Sequence, residues 1–296
     1  MLLALPPGGI CLAADAPSAP PAPSLTNWMA RLPDARRLSE LSIPGTHDSG
    51  ARHEPWPGTA RCQSLSIAEQ LAAGVRFLDI RCRQVTNTFQ IYHGKVSQKI
   101  SFADVLADCD RFLKAQPGEC VILSVKQEAD PVDSQQTFQQ TFDSYTNQAP
   151  WWLGADLPAL GEVRGRLVLF RRFAAARLPE GIPAGPGQWS DNTTFWIGHD
   201  IRVQDRYEVR DQAAKWTAVQ DLYGELKTNP PSVLFLNFTS GYHPGWFGVP
   251  RICSVSHYIH PRLTEWFRHA GPGRTGVTLL DFADAKKCAL IIGTNP

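Results

Sequence analysis

His47 lies in Gly45-Thr46-His47-Asp48-Ser49-Gly50 and His93 in Tyr92-His93-Gly94, each directly after a short apolar run. Two imidazoles suit a phosphodiester reaction, in which one takes a proton from the nucleophile and the other returns a proton to the leaving oxygen. Arg81 would meet a phosphate with a planar fork of donors, where a lysine offers only a point charge. Asp79 stands beside it on the same run. Carboxylates such as Asp48 and Asp281 can orient an imidazole and stabilise its charged form. Lys126, Arg172 and Asp205 add donors and acceptors for a hydroxyl-dense ligand, and Tyr207 adds a flat face for a ring. The set points to a phosphorylated polyol. Taken one at a time these residues are ordinary, since a loop histidine is usually a surface group and a strand-end Asp or Arg is usually solvated. Only their convergence in space would make them a site.

Convergence requires elements that collect scattered positions. Eight short apolar or β-branched runs alternate with longer polar stretches, the mark of repeated βα units. The runs are Leu41–Pro44, Phe77–Arg81, Phe89–His93, Val121–Lys126, Leu167–Arg172, Phe195–Gly198, Val233–Phe238 and Val277–Asp281. Between them, helices are expected over Ser66–Ala73, Phe102–Ala115 and Ser134–Tyr145. The second carries Phe102, Val105, Leu106, Phe112 and Leu113 on one stripe. Gly74, Pro117-Gly118 and Gly165 fall where such helices should end. The expected fold is α/β, a single irregular TIM-type (β/α)8 barrel, with the irregularity at the Pro- and Gly-rich stretch Pro179–Pro186. In a parallel barrel the strand ends share one rim, the rim that carries active sites.

Composition narrows the function further. Twenty-nine Lys and Arg nearly balance twenty-eight Asp and Glu, for a formal charge of +1. No net field would attract nucleic acid or fix the chain on an anionic membrane. No apolar run reaches the roughly 18 residues of a membrane span, so any membrane contact is expected to be peripheral and transient. Residues 1–25 read as a signal-like leader, which lacks the usual initial Lys or Arg, followed by a Pro/Ala-rich connector; residues 26–296 read as one catalytic domain. A secreted, monomeric protein is expected. Beyond Cys11 six cysteines remain, an even number that suits an oxidising compartment but serves equally as buried free thiols. None has CxxC spacing, and neither a metal nor another cofactor is expected.

The motifs resemble a known family. Leu41–Gly50, Arg76–Arg81 with Tyr92–Gly94, Leu123–Glu128, Arg164–Arg172, Val203–Tyr207 and Leu236–Ser240 are similar, in order, to motifs of the bacterial, metal-independent phosphatidylinositol-specific phospholipases C. The resemblance runs from about Asn27 to Asp281. It implies His47 as general base assisted by Asp281, and His93 as general acid assisted by Asp48. It also implies Arg81 on the phosphate with Asp79 beside it, and Lys126, Arg172, Asp205 and Tyr207 on the inositol, with Arg172 rather than Arg171 in the pocket. The implied reaction is attack of the inositol 2-hydroxyl on its own phosphate, giving diacylglycerol and a 1,2-cyclic inositol phosphate, followed by slower opening of the ring. GPI anchors share that linkage and are expected as second substrates.

Two rival readings exist. A metal-dependent phosphodiesterase on the same barrel would need oxygen ligands where Arg81 stands, and a non-catalytic lipid binder would not need both histidines. Trp56, after the first strand, and Trp246-Phe247, after the seventh, are expected at the same rim as membrane contacts.

Overall fold

The computed structural model describes residues 24–177, 180–245 and 249–296. Most of the expected leader and connector therefore lies outside the described residues, as does Cys11. The first half of the chain contains β1 (Ser42–Thr46), α1 (Ile67–Ala72), β2 (Phe77–Val85), β3 (Thr88–His93), β4 (Val96–Ser101), α2 (Phe102–Ala115) and β5 (Val121–Val132). Next come α3 (Phe138–Asp143), β6 (Trp151–Trp152), α4 (Leu160–Val163), β7 (Leu167–Arg172) and β8 (Ile182–Pro183). The last part holds β9 (Thr194–Ile197), β10 (Ile201–Gln204), α5 (Gln212–Thr228), β11 (Leu234–Phe238), β12 (His243–Pro244), β13 (Pro250–Arg251), α6 (Ile252–His269), β14 (Gly276–Leu280) and α7 (Ala285–Ile292).

One sheet organises the molecule, in the order β6-β7-β5-β2-β1-β14-β11-β10-β9. Every neighbouring pair is parallel except β10 with β9. Every residue of β1, β7, β11 and β14 is buried, as strands covered on both faces must be. The sheet curls into an irregular TIM-type barrel whose end strands β6 and β9 do not pair with each other among the described residues.

Two expected barrel strands behave otherwise. The run Phe89–His93 lies in β3, which pairs antiparallel with β2 and then with β4, so it is a hairpin beside the barrel. The turn before it, Thr86-Asn87, has φ of 46° and 57°, the conformation a two-residue hairpin loop demands. The run Phe195–Gly198 lies mostly in β9, which is antiparallel to β10. Its place in the parallel series goes to Ile201–Gln204, which precedes Asp205 and was not anticipated as a strand. Among the described residues no helix joins β7 to β9, and the two-residue β8 pairs with β7 instead, so the irregularity falls in the expected stretch, of which Pro179 lies outside the described residues.

The helices form where their caps are written. Ser101 accepts from Asp104 N while Asp104 accepts from Ser101 N, and α2 begins there; Ser66 with Glu69 and Thr137 with Gln140 do the same for α1 and α3. The third is shorter than expected, since Ser134 and Gln136 spend their polar groups on a turn around Asn87. Below the sheet, the fully buried Arg76 pairs with Glu119 at 2.8 Å. Arg76 also donates to the carbonyls of Leu71, Val75 and Thr26, while Glu119 accepts from Ala30 N, tying the first described residues to the barrel. The six described cysteines are free and five are buried, so of the two sequence readings, buried thiols is the one realised.

Candidate active site

The strand β1 delivers His47 to the rim, where its N–H donates to Leu280 O of the adjacent β14. The chain then turns at Asp48, whose φ of 39° is left-handed, a conformation that Asp tolerates better than most residues. That turn points Asp48 N at Asp79 Oδ2, 3.1 Å away. Asp79, buried in β2, also accepts from Arg81 Nε and Nη2, each at 3.0 Å, and from Arg172 Nη1 at 3.2 Å. Burial alone would push its carboxyl up, but Arg81 and Arg172 hold it well below the usual carboxylate range. It is therefore an ionised hub that orients two guanidinium groups.

His47 Nδ1 lies 2.8 Å from Asp281 Oδ1 at the end of β14. Burial opposes charge on the imidazole, yet Asp281 outweighs it and raises the pKa of His47 above its ordinary value. Gln63 Nε2 donates to the carbonyls of His47 and Leu280, locking the two strand ends together. Asp281 O in turn lies 3.0 Å from His260 Nε2.

His93 faces His47 across the opening, the ring centroids 6.5 Å apart. Its Nδ1 lies 2.7 Å from Ala60 O and 3.7 Å from Asp48 Oδ2. A carbonyl only accepts, so Nδ1 carries the hydrogen and Nε2 is the free nitrogen. Neither oxygen of Asp48 has a hydrogen-bond partner among the described residues, and burial raises its pKa against the opposing charges of His93 and Arg81. Cys62 Sγ is 3.9 Å from His93 Nδ1. Two groups of potential ligand atoms share this thiol, His47–Cys62–Asp281 and Asp48–Cys62–His93, each with all atoms within 4.8 Å of one another.

Arg81 completes the rim, with Asp48 Oδ2 and Glu128 Oε1 each 3.7 Å away. These carboxylates and Asp79 overcome the effect of burial and raise its pKa well above the ordinary value, so it is a fixed cation. Glu128 also takes Lys126 Nζ at 2.7 Å and Gly94 N at 2.8 Å, which ties the hairpin to β5. Despite burial, Arg81 and Lys126 hold its carboxyl down to about 2. A cavity of about 460 Å³ opens between His47, Arg81, His93, Lys126, Arg172, Asp205 and Tyr207.

Residues 41–173 match the family described as phosphatidylinositol-specific phospholipase C, X domain. Over 278 residues the chain is 31% identical to the 1-phosphatidylinositol phosphodiesterase of Staphylococcus aureus strain Newman, covering 87% of this chain and 88% of that protein. The chain belongs to the bacterial phosphatidylinositol-specific phospholipases C. It is also 34% identical over 283 residues to the 1-phosphatidylinositol phosphodiesterase of Listeria monocytogenes, covering 90% of this chain and 84% of that one. A solved structure of a variant of the S. aureus phospholipase C superposes with a TM-score of 0.84 at 29% identity, over 92% of this chain and 98% of that chain. The L. monocytogenes structure shares the fold, with a TM-score of 0.72 at 24% identity over 92% and 99% of the two chains.

Ten residues were singled out for the chemistry of this phospholipase C family member, and seven line the cavity. The other three, Asp48, Asp79 and Asp281, stand directly behind its histidines and arginines. Arg172 lines the cavity and Arg171 does not: Arg171 donates to the carbonyls of Glu180 and Phe173, as alternation along β7 requires. Sequence reasoning missed Trp189, whose ring carries the Arg172 guanidinium at 3.5 Å and whose Nε1 donates to Asp205 Oδ2 at 3.1 Å. It also gave no part to Glu128, although Glu128 closes a motif already recognised, or to Asp191, which accepts from Tyr207 Oη at 2.6 Å. Trp56 is 72% exposed in the loop after β1. Trp246 and Phe247 lie outside the described residues.

Proposed function

We propose that this chain is a phosphatidylinositol-specific phospholipase C that releases diacylglycerol and forms a 1,2-cyclic inositol phosphate by histidine acid-base catalysis without a metal. The observation that carries the reading is the pair of histidines 6.5 Å apart across one cavity, with a buried Asp281 behind one and the Arg81 cation beside both. His47 Nδ1–H donates to Asp281, so the Nε2 lone pair takes the proton of the inositol 2-hydroxyl. His93 donates Nδ1–H to Ala60 and gives its Nε2 proton to the departing diacylglycerol oxygen. Asp48 Oδ2, 3.7 Å from Nδ1, stands behind the ring as its assisting carboxylate.

Charge that builds on the phosphoryl oxygens meets Arg81, held in place by Asp79. Because the attacking hydroxyl belongs to the same molecule as the phosphate, proximity lowers the barrier before any residue acts. Lys126, Arg172, Asp205 and Tyr207 hold the inositol hydroxyls. In a slower second step water opens the cyclic phosphate, with the two histidines exchanging roles. GPI anchors, which carry the same linkage, are second substrates of the same pocket.

The guanidinium of Arg81 amid Asp79, Asp48 and Glu128 favours this reading over a calcium-dependent one, since it occupies the cluster of oxygens that a calcium ion, bound by oxygen alone, would need. One structural study of the S. aureus enzyme concerns modulation of its membrane binding. A transient membrane contact through Trp56, Trp246 and Phe247 belongs to the same proposal, supported here by the exposure of Trp56. So do a single catalytic domain over residues 26–296, a monomeric state, and secretion, the last supported by the leader-like composition of residues 1–25.

The test is release of diacylglycerol from phosphatidylinositol vesicles by His47→Ala and His93→Ala, with folding checked by circular dichroism. Each folded variant is expected to lose about 10²–10⁴-fold in kcat. A folded variant of either kind that keeps more than about a tenth of the activity contradicts the assignment.

A further inference from the structure

Cys62 takes no part in the chemistry above, yet its thiol is fully buried between the two histidines. A buried cysteine is usually inert packing. Here it faces the carboxylate of Asp48, which is fully buried and has no hydrogen-bond partner for either oxygen among the described residues, with Arg81 and His93 no nearer than 3.7 Å. His93 Nδ1 completes the group, 3.7 Å from Asp48 Oδ2 and 3.9 Å from Cys62 Sγ.

Three such atoms around one tetrahedral ion, with bonds of about 2.0–2.3 Å, would stand roughly 3.3–3.7 Å apart. The observed spacing needs a contraction of only a few tenths of an ångström on the two sides that include His93. We propose that Asp48, Cys62 and His93 form an inhibitory site for a thiophilic divalent cation such as Zn²⁺. Nitrogen, thiolate and carboxylate together select zinc, cadmium or cobalt over calcium and magnesium, which want oxygen alone.

The neighbouring triad of His47, Cys62 and Asp281 is the weaker candidate. Its imidazole and carboxylate already satisfy each other at 2.8 Å, whereas Asp48 gains a partner it lacks. Binding exchanges the Cys62 S–H bond for a sulfur–metal bond and sends that proton to solvent. His93 gives up its hydrogen bond to Ala60 O: the Nδ1 proton also leaves to solvent, Nε2 keeps the one hydrogen of the neutral ring, and Nδ1 presents a lone pair. Arg81 Nε, 3.7 Å from Asp48 Oδ2, repels the ion and keeps the affinity below that of a structural zinc site. With the metal on Nδ1, His93 cannot become the imidazolium that protonates the leaving group. The ion thus blocks catalysis without entering the inositol pocket.

Titration of the whole protein with Co²⁺ alone tests the site without relying on activity, because a thiolate ligand adds a near-ultraviolet charge-transfer band that nitrogen and oxygen ligands do not. The wild type is expected to show a band that saturates at a single ion and is displaced by Zn²⁺. Cys62→Ser and His93→Gln are each expected to lose it, and Cys253→Ser, at the most accessible other thiol among the described residues, to keep it. In hydrolysis assays Zn²⁺ should inhibit the wild type, reversibly with chelator. Cys62→Ser, with a basal rate within about threefold of wild type, should need roughly tenfold more Zn²⁺. A wild type without the band, a band that survives Cys62→Ser or is lost in Cys253→Ser, or equal inhibition of wild type and Cys62→Ser would overturn the proposal. Should the protein not cleave phosphatidylinositol at all, the band would remain, so the two readings fail separately.

Discussion

At the scale of single residues, the behaviour of His47 follows from one buried partner. Asp281 raises its pKa against the effect of burial, and a base must be neutral to accept a proton, so kcat/KM should fall as pH drops through a value above the ordinary 6.5 of histidine. Asp281→Asn keeps an acceptor for Nδ1–H but removes the charge. The acid limb of the pH–rate profile should move down, with kcat lowered roughly 10²-fold or more. An acid limb that stays put would mean that Asp281 does not set the titration of His47. The same shift has the opposite sense for stability: the pair stabilises the fold below the unfolded histidine value and loses that contribution as pH rises through the folded one. Asp79 is the mirror case, stabilising above the usual carboxylate range and losing its contribution as the medium becomes acid. The residues legible in the sequence were those whose own type carries the chemistry. Trp189 acts through Arg172 and Asp205, contacts that the fold makes, so nothing in its local sequence marks it; Glu128 acts through Arg81 and Lys126, and its place at the end of the Leu123–Glu128 motif was its one local sign.

At the scale of elements, the site depends on how strand ends are held. Lys215, on α5, reaches into the barrel and donates to Gln204 Oε1, Arg206 O and Phe238 O, bracketing Asp205. Burial pushes its ammonium down to about 7 even with Asp205 and Asp281 nearby. The unfolded chain therefore binds the extra proton between that value and the ordinary 10.5, so this group makes the fold more stable as pH rises across the interval. Lys215→Met leaves Arg206 O without this donor. It is expected to lower stability by about 1–3 kcal/mol at neutral pH and to raise KM more than it lowers kcat. Urea melts of both proteins at neutral pH and at about pH 9 check the sign: the wild type gains stability with pH relative to the variant. An unchanged difference between the two would show that Lys215 does not titrate in this range. Elements with written ends were readable, as α2 was from Ser101 and Asp104. The hairpin strand β3 was misplaced, although its alternation of buried Phe89 and Ile91 with half-buried Gln90 and Tyr92 is the period of a strand with one wet face. The strand β10 escaped notice because four residues that include Arg202 and Gln204 carry too little apolar signal.

At the scale of the whole molecule, all these parts converge on one rim of one barrel, with a near-neutral net charge and an exposed Trp56 in a rim loop. A fixed cation, Arg81, stands amid the carboxylates that could otherwise gather a calcium ion, and the two histidines face a cavity of about 460 Å³. The order of products reports on this arrangement as a unit, since a tethered hydroxyl gives a cyclic phosphate first and an activated water would not. Phosphorus NMR of phosphatidylinositol vesicles treated with the protein in excess EDTA measures it directly. Full activity in chelator is expected, with the signal of a 1,2-cyclic inositol phosphate appearing first and an acyclic phosphate growing in later. An acyclic phosphate as the first product, or a silent enzyme restored only by calcium, would contradict it.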